Sequence, residues 1–151
     1  MKNEPNAIAA YFERDHDEID ALLASVDFAD LKTALARFAE FDRRLERHIV
    51  WEEGTLFPAA ARVAPALEEG PIAVMKMEHV AIRGLKQAAL DALRRGDAPS
   101  ARRLVAEMLQ VLSPHNMKEE HMLYPACDGY LAGPAARAVM DEIKASAAVW
   151  Q

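Results

Sequence analysis

The sequence predicts an all-α protein: an up-down-up-down four-helix bundle with a short C-terminal fifth helix. Three observations carry that prediction. Apolar residues recur at helical spacing through long segments, and Ala and Leu dominate without β-branched runs. Gly and Pro fall at intervals that punctuate the periodic stretches. With 151 residues the chain is expected to form one domain over 1–151, long enough to bury its own core.

The first helix is expected from Pro5 to Val26, with Ile8, Phe12, Ile19, Leu23 and Val26 on one stripe. Asp27 to Asp30 interrupt it, and Asp30 suits the N-cap of the next helix. The second helix runs from Leu31 to Val63 and stops before Pro65. Gly70 marks the turn between the two halves. Pro71 suits the first position of a third helix, which extends to Arg95. Gly96-Asp97 turns the chain into a fourth helix from Pro99 to Tyr124, which Pro114 is expected to kink. Gly133 precedes the fifth, from Pro134 to Val149. Connections this short make sequential helices antiparallel neighbours.

Composition narrows the function. Lys plus Arg number 18 against 24 Asp plus Glu, a net charge of -6, which argues against phosphate backbones and anionic lipid as partners. No apolar run approaches the roughly 20 residues of a membrane span, and Met1 to Pro5 lack the apolar core of a secretory signal. The expected setting is the cytoplasm. Cys127 stands alone, so neither an internal disulfide nor a cysteine-rich zinc site can form.

Some residues do not suit a plain bundle interior. His16 lies on the Phe12, Ile19, Leu23 stripe, and His79 lies between Met75 and Ile82 at helical spacing. His48 and Glu52 fall between Leu45 and Leu56, and His115 and Glu119 follow Leu112. Residues four apart on a helix share a face, so each His-x-x-x-Glu pair points one way. A lone histidine on an apolar stripe reads most simply as a hydrogen-bonded core residue. Repetition changes that reading. His48 to Ala59 and His115 to Ala126 align in register through His, two Glu, Leu, an aromatic, Pro and Ala, and His16 and His79 repeat at nearly the same offset. Buried carboxylates are costly unless paired or bound to a cation, so a twice-repeated polar set points to a metal site.

Imidazole and carboxylate without thiolate suit iron, manganese or zinc. Six donors are too many for one tetrahedral zinc and suit two ions. The expected arrangement gives His16 and His48 to one metal, His79 and His115 to the other, with Glu52 and Glu119 bridging.

These motifs resemble the hemerythrin-like, HHE cation-binding domain. The resemblance covers about Ala7 to Ala126, and its most specific part is the twice-repeated His-x-x-x-Glu-Glu-x-x-Leu-(Phe/Tyr)-Pro. It implies a four-helix bundle around two non-haem irons joined by an oxygen bridge. It also implies a small ligand such as O2, nitric oxide or peroxide. The matching positions are His16, His48, Glu52, His79, His115 and Glu119. Oxygen carriers of this family look like five-histidine sites, whereas here Met75 and Arg83 stand one turn from His79. Those carriers also place a carboxylate five residues after the last histidine, the position of Glu120. The paired His-x-x-x-Glu pattern looks more like the branch that repairs iron–sulfur clusters and handles nitric oxide. A ferritin-like site would need Glu-x-x-His twice. Glu13 to His16 supplies it once, and Lys76 breaks the second copy.

The remaining expectations are secondary. Glu78 reads as a solvated charge, or as a partner orienting a ligating histidine. His121 reads as exposed or supporting, Asp20 as surface, and Cys127 as a buried small hydrophobe. Trp51, Phe57 and Tyr124 are expected to pack near the centre and limit solvent access. Met75, Met77, Met108, Met117 and Met122 read as core filler. The leading function is small-ligand binding or reaction at a diiron centre, in oxygen or redox sensing or in nitrosative-stress defence. The alternative is a metal-dependent interaction module, or an iron-handling protein without turnover, acting through a protein partner that the sequence does not identify.

Overall fold

The computed structural model describes residues 6–150. Within them the chain forms α1 (Ala7–Ala24), α2 (Leu31–Trp51), α3 (Phe57–Val63), α4 (Ala66–Glu69), α5 (Pro71–Arg94), α6 (Ala98–Lys118), α7 (Tyr124–Tyr130) and α8 (Pro134–Ala147). A π-helical turn at Glu52–Leu56 joins α2 to α3 without a break, and another at Glu119–Leu123 joins α6 to α7. The molecule is therefore an all-α helical bundle, as the periodicity predicts. Four long rods and a short C-terminal helix are present, with the single turn of α4 as an addition. The expected start at Pro5 lies outside the described residues.

Local chemistry sets the ends. Asp30 caps α2, its side chain accepting from the Thr33 N–H, and Asp97 caps α6 through the Ser100 N–H. Gly96 and Gly133 take positive φ values of 77° and 58° at the turns before α6 and α8, conformations that favour glycine. The first donors of α1 are satisfied from far along the chain. Asp128 on α7 accepts from the N–H groups of Ile8 and Ala9 at 3.1 and 2.9 Å.

Two apolar clusters divide the interior. One gathers Ile8, Phe12, Ile72, Met75 and Ile143; the other gathers Ile19, Phe38, Phe41, Ile82, Leu112 and their neighbours. Helix α1 starts in the first cluster and ends in the second, α2 runs the other way, α5 repeats α1, and α6 repeats α2. The rods thus alternate in direction. On each of them the polar motif falls where one cluster gives way to the other.

Two expectations require correction. The expected second and fourth helices, Leu31 to Val63 and Pro99 to Tyr124, are not α-helical throughout, although α6 runs through Pro114 from Ala98 to Lys118. The departure from α-geometry comes further on, where Pro125 and its counterpart Pro58 each follow a π-turn. A proline has no N–H and its ring clashes with the carbonyl four residues back. Widening the turn relieves that clash. The N–H of Phe57 bonds to the Glu52 carbonyl, and that of Tyr124 to the Glu119 carbonyl, five residues back in both copies. The second correction concerns methionine. Met75 and Met108 are buried, but Met77, Met117 and Met122 are 69%, 53% and 67% exposed. Met77 stands two residues from both Met75 and His79, and Met117 two from His115. Two residues turn about 200° around a helix, so both face outward. At the end of the π-turn it is Leu123, not Met122, that enters the core.

Candidate metal centre

The fold brings all six predicted residues together. His16 comes from α1, His48 from α2, Glu52 from the first π-turn, His79 from α5, His115 from α6 and Glu119 from the second π-turn. All six are buried, with both glutamates at 0% exposure. Nε2 of His16 lies 3.2 Å from Glu119 Oε1, and Nε2 of His115 lies 3.3 Å from the same oxygen. Nε2 of His79 lies 3.1 Å from Glu52 Oε1, and Nε2 of His48 lies 3.6 Å from Glu52 Oε2. Two donor groups result: Glu52, His79, His115 and Glu119 in one, and His16, His48 and Glu119 in the other, each with its ligand atoms within 4.8 Å of one another. Glu119 belongs to both.

The outer ring nitrogens explain why Nε2 faces inward in His48, His79 and His115. Nδ1 of His48 donates to Asp15 Oδ2 at 2.8 Å, that of His79 to Glu53 Oε2 at 2.5 Å, and that of His115 to Glu78 Oε1 at 3.0 Å. Nδ1 of His16 lies 3.8 Å from Glu120 Oε2, an ion-pair separation rather than a hydrogen bond. Donation from Nδ1 fixes ring orientation and leaves the Nε2 lone pair for a metal. The acids form a ring around the bundle. Asp15 serves the histidine of α2, Glu53 that of α5, Glu78 that of α6, and Glu120 faces that of α1. Arg44 and Arg47 hold Asp15 at 3.0 and 3.1 Å, and Lys118 holds Glu78 at 2.5 Å.

Asp15 and Glu53 were not singled out from the sequence. Of the two readings of Glu78, the structure bears out the partner of a candidate histidine rather than the solvated charge: it bonds to His115 on the next helix. The expectations for three other side chains hold. His121 and Asp20 are exposed, and Cys127 is fully buried, with burial pushing its thiol up to about 12. Trp51 is buried in the first apolar cluster, and Phe57 is buried beside the centre. Trp51 donates to Ser146 Oγ on α8, and Phe57 stacks on His79. Tyr124 goes further than shielding. Its hydroxyl enters the polar pocket and donates to Glu52 Oε2 at 2.7 Å.

The centre is electrostatically unsettled without a cation. Burial, and then the neighbouring Glu52 carboxylate, push Glu119 up to about 8. Burial disfavours charge on His48, but Glu52, Asp15 and Glu119 outweigh it and hold that imidazole up to about 10. Burial and the His48 charge bring His16 down to about 4. Burial, the two carboxylates and their hydrogen bonds raise the Tyr124 phenol well above its ordinary value. The pocket thus retains protons where two carboxylates would repel. Among the described residues, His79 Nε2, Glu52 Oε1 and Glu119 Oε2 are buried without a hydrogen-bond partner. All three are metal-donor atoms in one pocket, and leaving them unpaired costs free energy. A metal ion fits this donor set.

The family model of the hemerythrin HHE cation binding domain matches residues 7–127. The chain belongs to the hemerythrin HHE cation-binding family. The match spans both motif copies and all four rods of this hemerythrin-like bundle, and it stops at Cys127, before α8. No curated protein and no solved structure matches the chain. Among the described residues no helix is long and apolar enough to cross a membrane. Cation binding thus follows from the family, and the buried His/Glu groups are where a metal could be held.

Proposed function

We propose that this hemerythrin-family protein holds two non-haem irons and binds or reacts with a small ligand, O2, nitric oxide or peroxide, in sensing or in nitrosative-stress defence. The observation that carries the reading is the pair of overlapping donor groups sharing Glu119. His16 and His48 hold one ion, His79 and His115 the other, and Glu52 and Glu119 bridge. Imidazole with carboxylate and no thiolate favours iron, with manganese or zinc as competitors for the same donors. When bound, the pair would supply redox-active metal beside a dry pocket. The chain's own contribution is orientation: three carboxylates tie three imidazoles in place, and two apolar clusters exclude bulk water. The setting in this reading is the cytoplasm.

The test is metal analysis with absorption spectroscopy on purified protein before and after anaerobic iron loading. The expected result is about two irons per chain with the near-ultraviolet charge-transfer bands of an oxygen-bridged pair. One zinc, or no metal and no spectral change on iron loading, would refute it. The origin of the donors on four separate rods supports a second reading, a sensor read by a partner protein. Without metal, the inner carboxylates and imidazoles would face one another unbridged across the layer, and the loss would be felt in helix packing. Identical hydrogen exchange in oxidised and reduced protein would exclude that reading.

A further inference from the structure

The two motif copies differ at one position facing the centre. Phe57 and Tyr124 occupy the same place in the aligned copies. Phe57 lies parallel to the His79 ring, with centroids 6.2 Å and planes 6° apart, and brings no polar atom. Tyr124 lies beside the His16 ring, with centroids 5.7 Å and planes 36° apart, and adds a hydroxyl.

That hydroxyl stands 2.7 Å from Glu52 Oε2, 3.0 Å from Glu119 Oε1, 3.0 Å from His48 Nε2 and 3.3 Å from His16 Nε2. A phenol has one proton to give and can accept, yet four polar atoms surround it. A phenol cannot satisfy all four at once as a hydrogen-bonding group, whereas a shared ion would bring them to these separations. Metal bonds to nitrogen and oxygen of about 2.0–2.2 Å put two donors at right angles on one six-coordinate ion about 3 Å apart. The four distances from the hydroxyl match that spacing. So does the 3.2 Å between His16 Nε2 and Glu119 Oε1.

Resting on the diiron reading, we infer that Tyr124 is a ligand of the metal held by His16 and His48, bound as its phenolate. Metal binding then replaces the hydroxyl proton, which leaves to solvent. The subsite of His79 and His115 has only Phe57 at the matching position, so it gains no such donor. The two ions are unequal: the first is enclosed by protein donors, and the second keeps the position that an exogenous ligand takes.

Resonance Raman spectroscopy of the oxidised, iron-loaded full chain tests this, with protein carrying ring-deuterated tyrosine as the comparison. The expected spectrum has a visible phenolate-to-iron charge-transfer band that enhances tyrosine ring modes, and those modes shift on deuteration. The chain has three tyrosines, so Tyr11→Phe and Tyr130→Phe should keep the signal. Tyr124→Phe should abolish the visible band while retaining close to two irons. Should Tyr124→Phe fail to hold iron, the isotope shift in the unsubstituted protein still decides. Two irons per chain with no enhanced tyrosine modes overturns the inference alone. Failure to take up iron overturns both this inference and the diiron reading.

Discussion

Replacing Glu119 by glutamine should strengthen the metal-free fold and weaken the metal site. Burial and Glu52 push the Glu119 carboxyl up to about 8, from an ordinary value of 4.5. Its folded pKa is raised, so the stability it contributes is present below pH 4.5 and is lost as pH rises toward 8. At pH 7 folding must protonate a group that the unfolded chain leaves ionised, about two and a half pH units above its free pKa, which costs about 3 kcal/mol. Glutamine has nearly the same shape and no charge, so Glu119→Gln removes that cost. For a chain of this size, about 3 kcal/mol corresponds to a rise in Tm of roughly 6–12 °C. Circular dichroism melts of metal-free protein at pH 7 would measure it. Repetition at pH 4.5, where the folded chain holds the proton and the unfolded chain holds it half the time, should show the gain nearly gone. Iron content moves the other way, because Glu119 is the donor common to both groups. A metal-free variant no more stable than the parent at pH 7, or a gain of equal size at pH 4.5, would refute the argument.

Three further outcomes follow from the same geometry. His115→Ala should lower iron occupancy, whereas Leu112→Ala, three residues away in the second apolar cluster, should cost about 2–5 kcal/mol of stability and keep the metal; equal iron loss in both would mean the pattern serves packing. Asp15→Asn, which takes the carboxylate from His48 Nδ1, should weaken iron affinity about 10–100-fold, read by chelator competition, while iron-site spectra of the loaded protein persist. Metal-free protein should lose stability as pH rises from 6.5 to 8. In that window folded Glu119 (about 8) and His48 (about 10) keep protons that the unfolded chain has released. The slope is about 1.4 kcal/mol per pH unit per proton retained. The depressed His16, at about 4, opposes this only below pH 6.5. Iron loading should flatten the profile, and urea titrations at each pH would show whether it does.

The rods and the convergence of the six candidate residues were legible in the sequence because both rest on spacing. Helical periodicity places His48 with Glu52 and His115 with Glu119, and the repeat separates them from chance core histidines. What escaped depends on neighbouring elements. Asp15 reads as another charge on α1 until α2 supplies His48. Glu78 reads as solvated because it points away from His79, and only α6 shows that it reaches His115. A signal was nevertheless present: Asp15, Glu53, Glu78 and Glu120 each adjoin a donor residue in sequence, His16, Glu52, His79 and Glu119. The π-turns also had a signal, in Pro58 and Pro125, since a proline six residues after a donor glutamate forbids ordinary helical bonding there. Met122 was misplaced because an unbroken 3.6-residue period was carried through a turn that does not keep it.

The placement of the centre has an energetic logic. Two apolar clusters would be expected to merge, since continuous burial is the cheaper interior. Here every rod interrupts its apolar stripe at the same level, so the defects fall in one layer and share a remedy. Within that layer the orphaned atoms, the proton retained by Glu119 and the raised His48 are costs of the metal-free state. A cation that displaces those protons and satisfies those atoms binds the folded chain only, so its binding free energy adds to folding. The outer acids do not share this dependence. Asp15, Glu53 and Glu78 keep their histidine bonds without metal, and Arg44, Arg47 and Lys118 neutralise two of them. The shell that aims the imidazoles is therefore built by the fold, and the metal's share is confined to the inner oxygens and the Nε2 atoms.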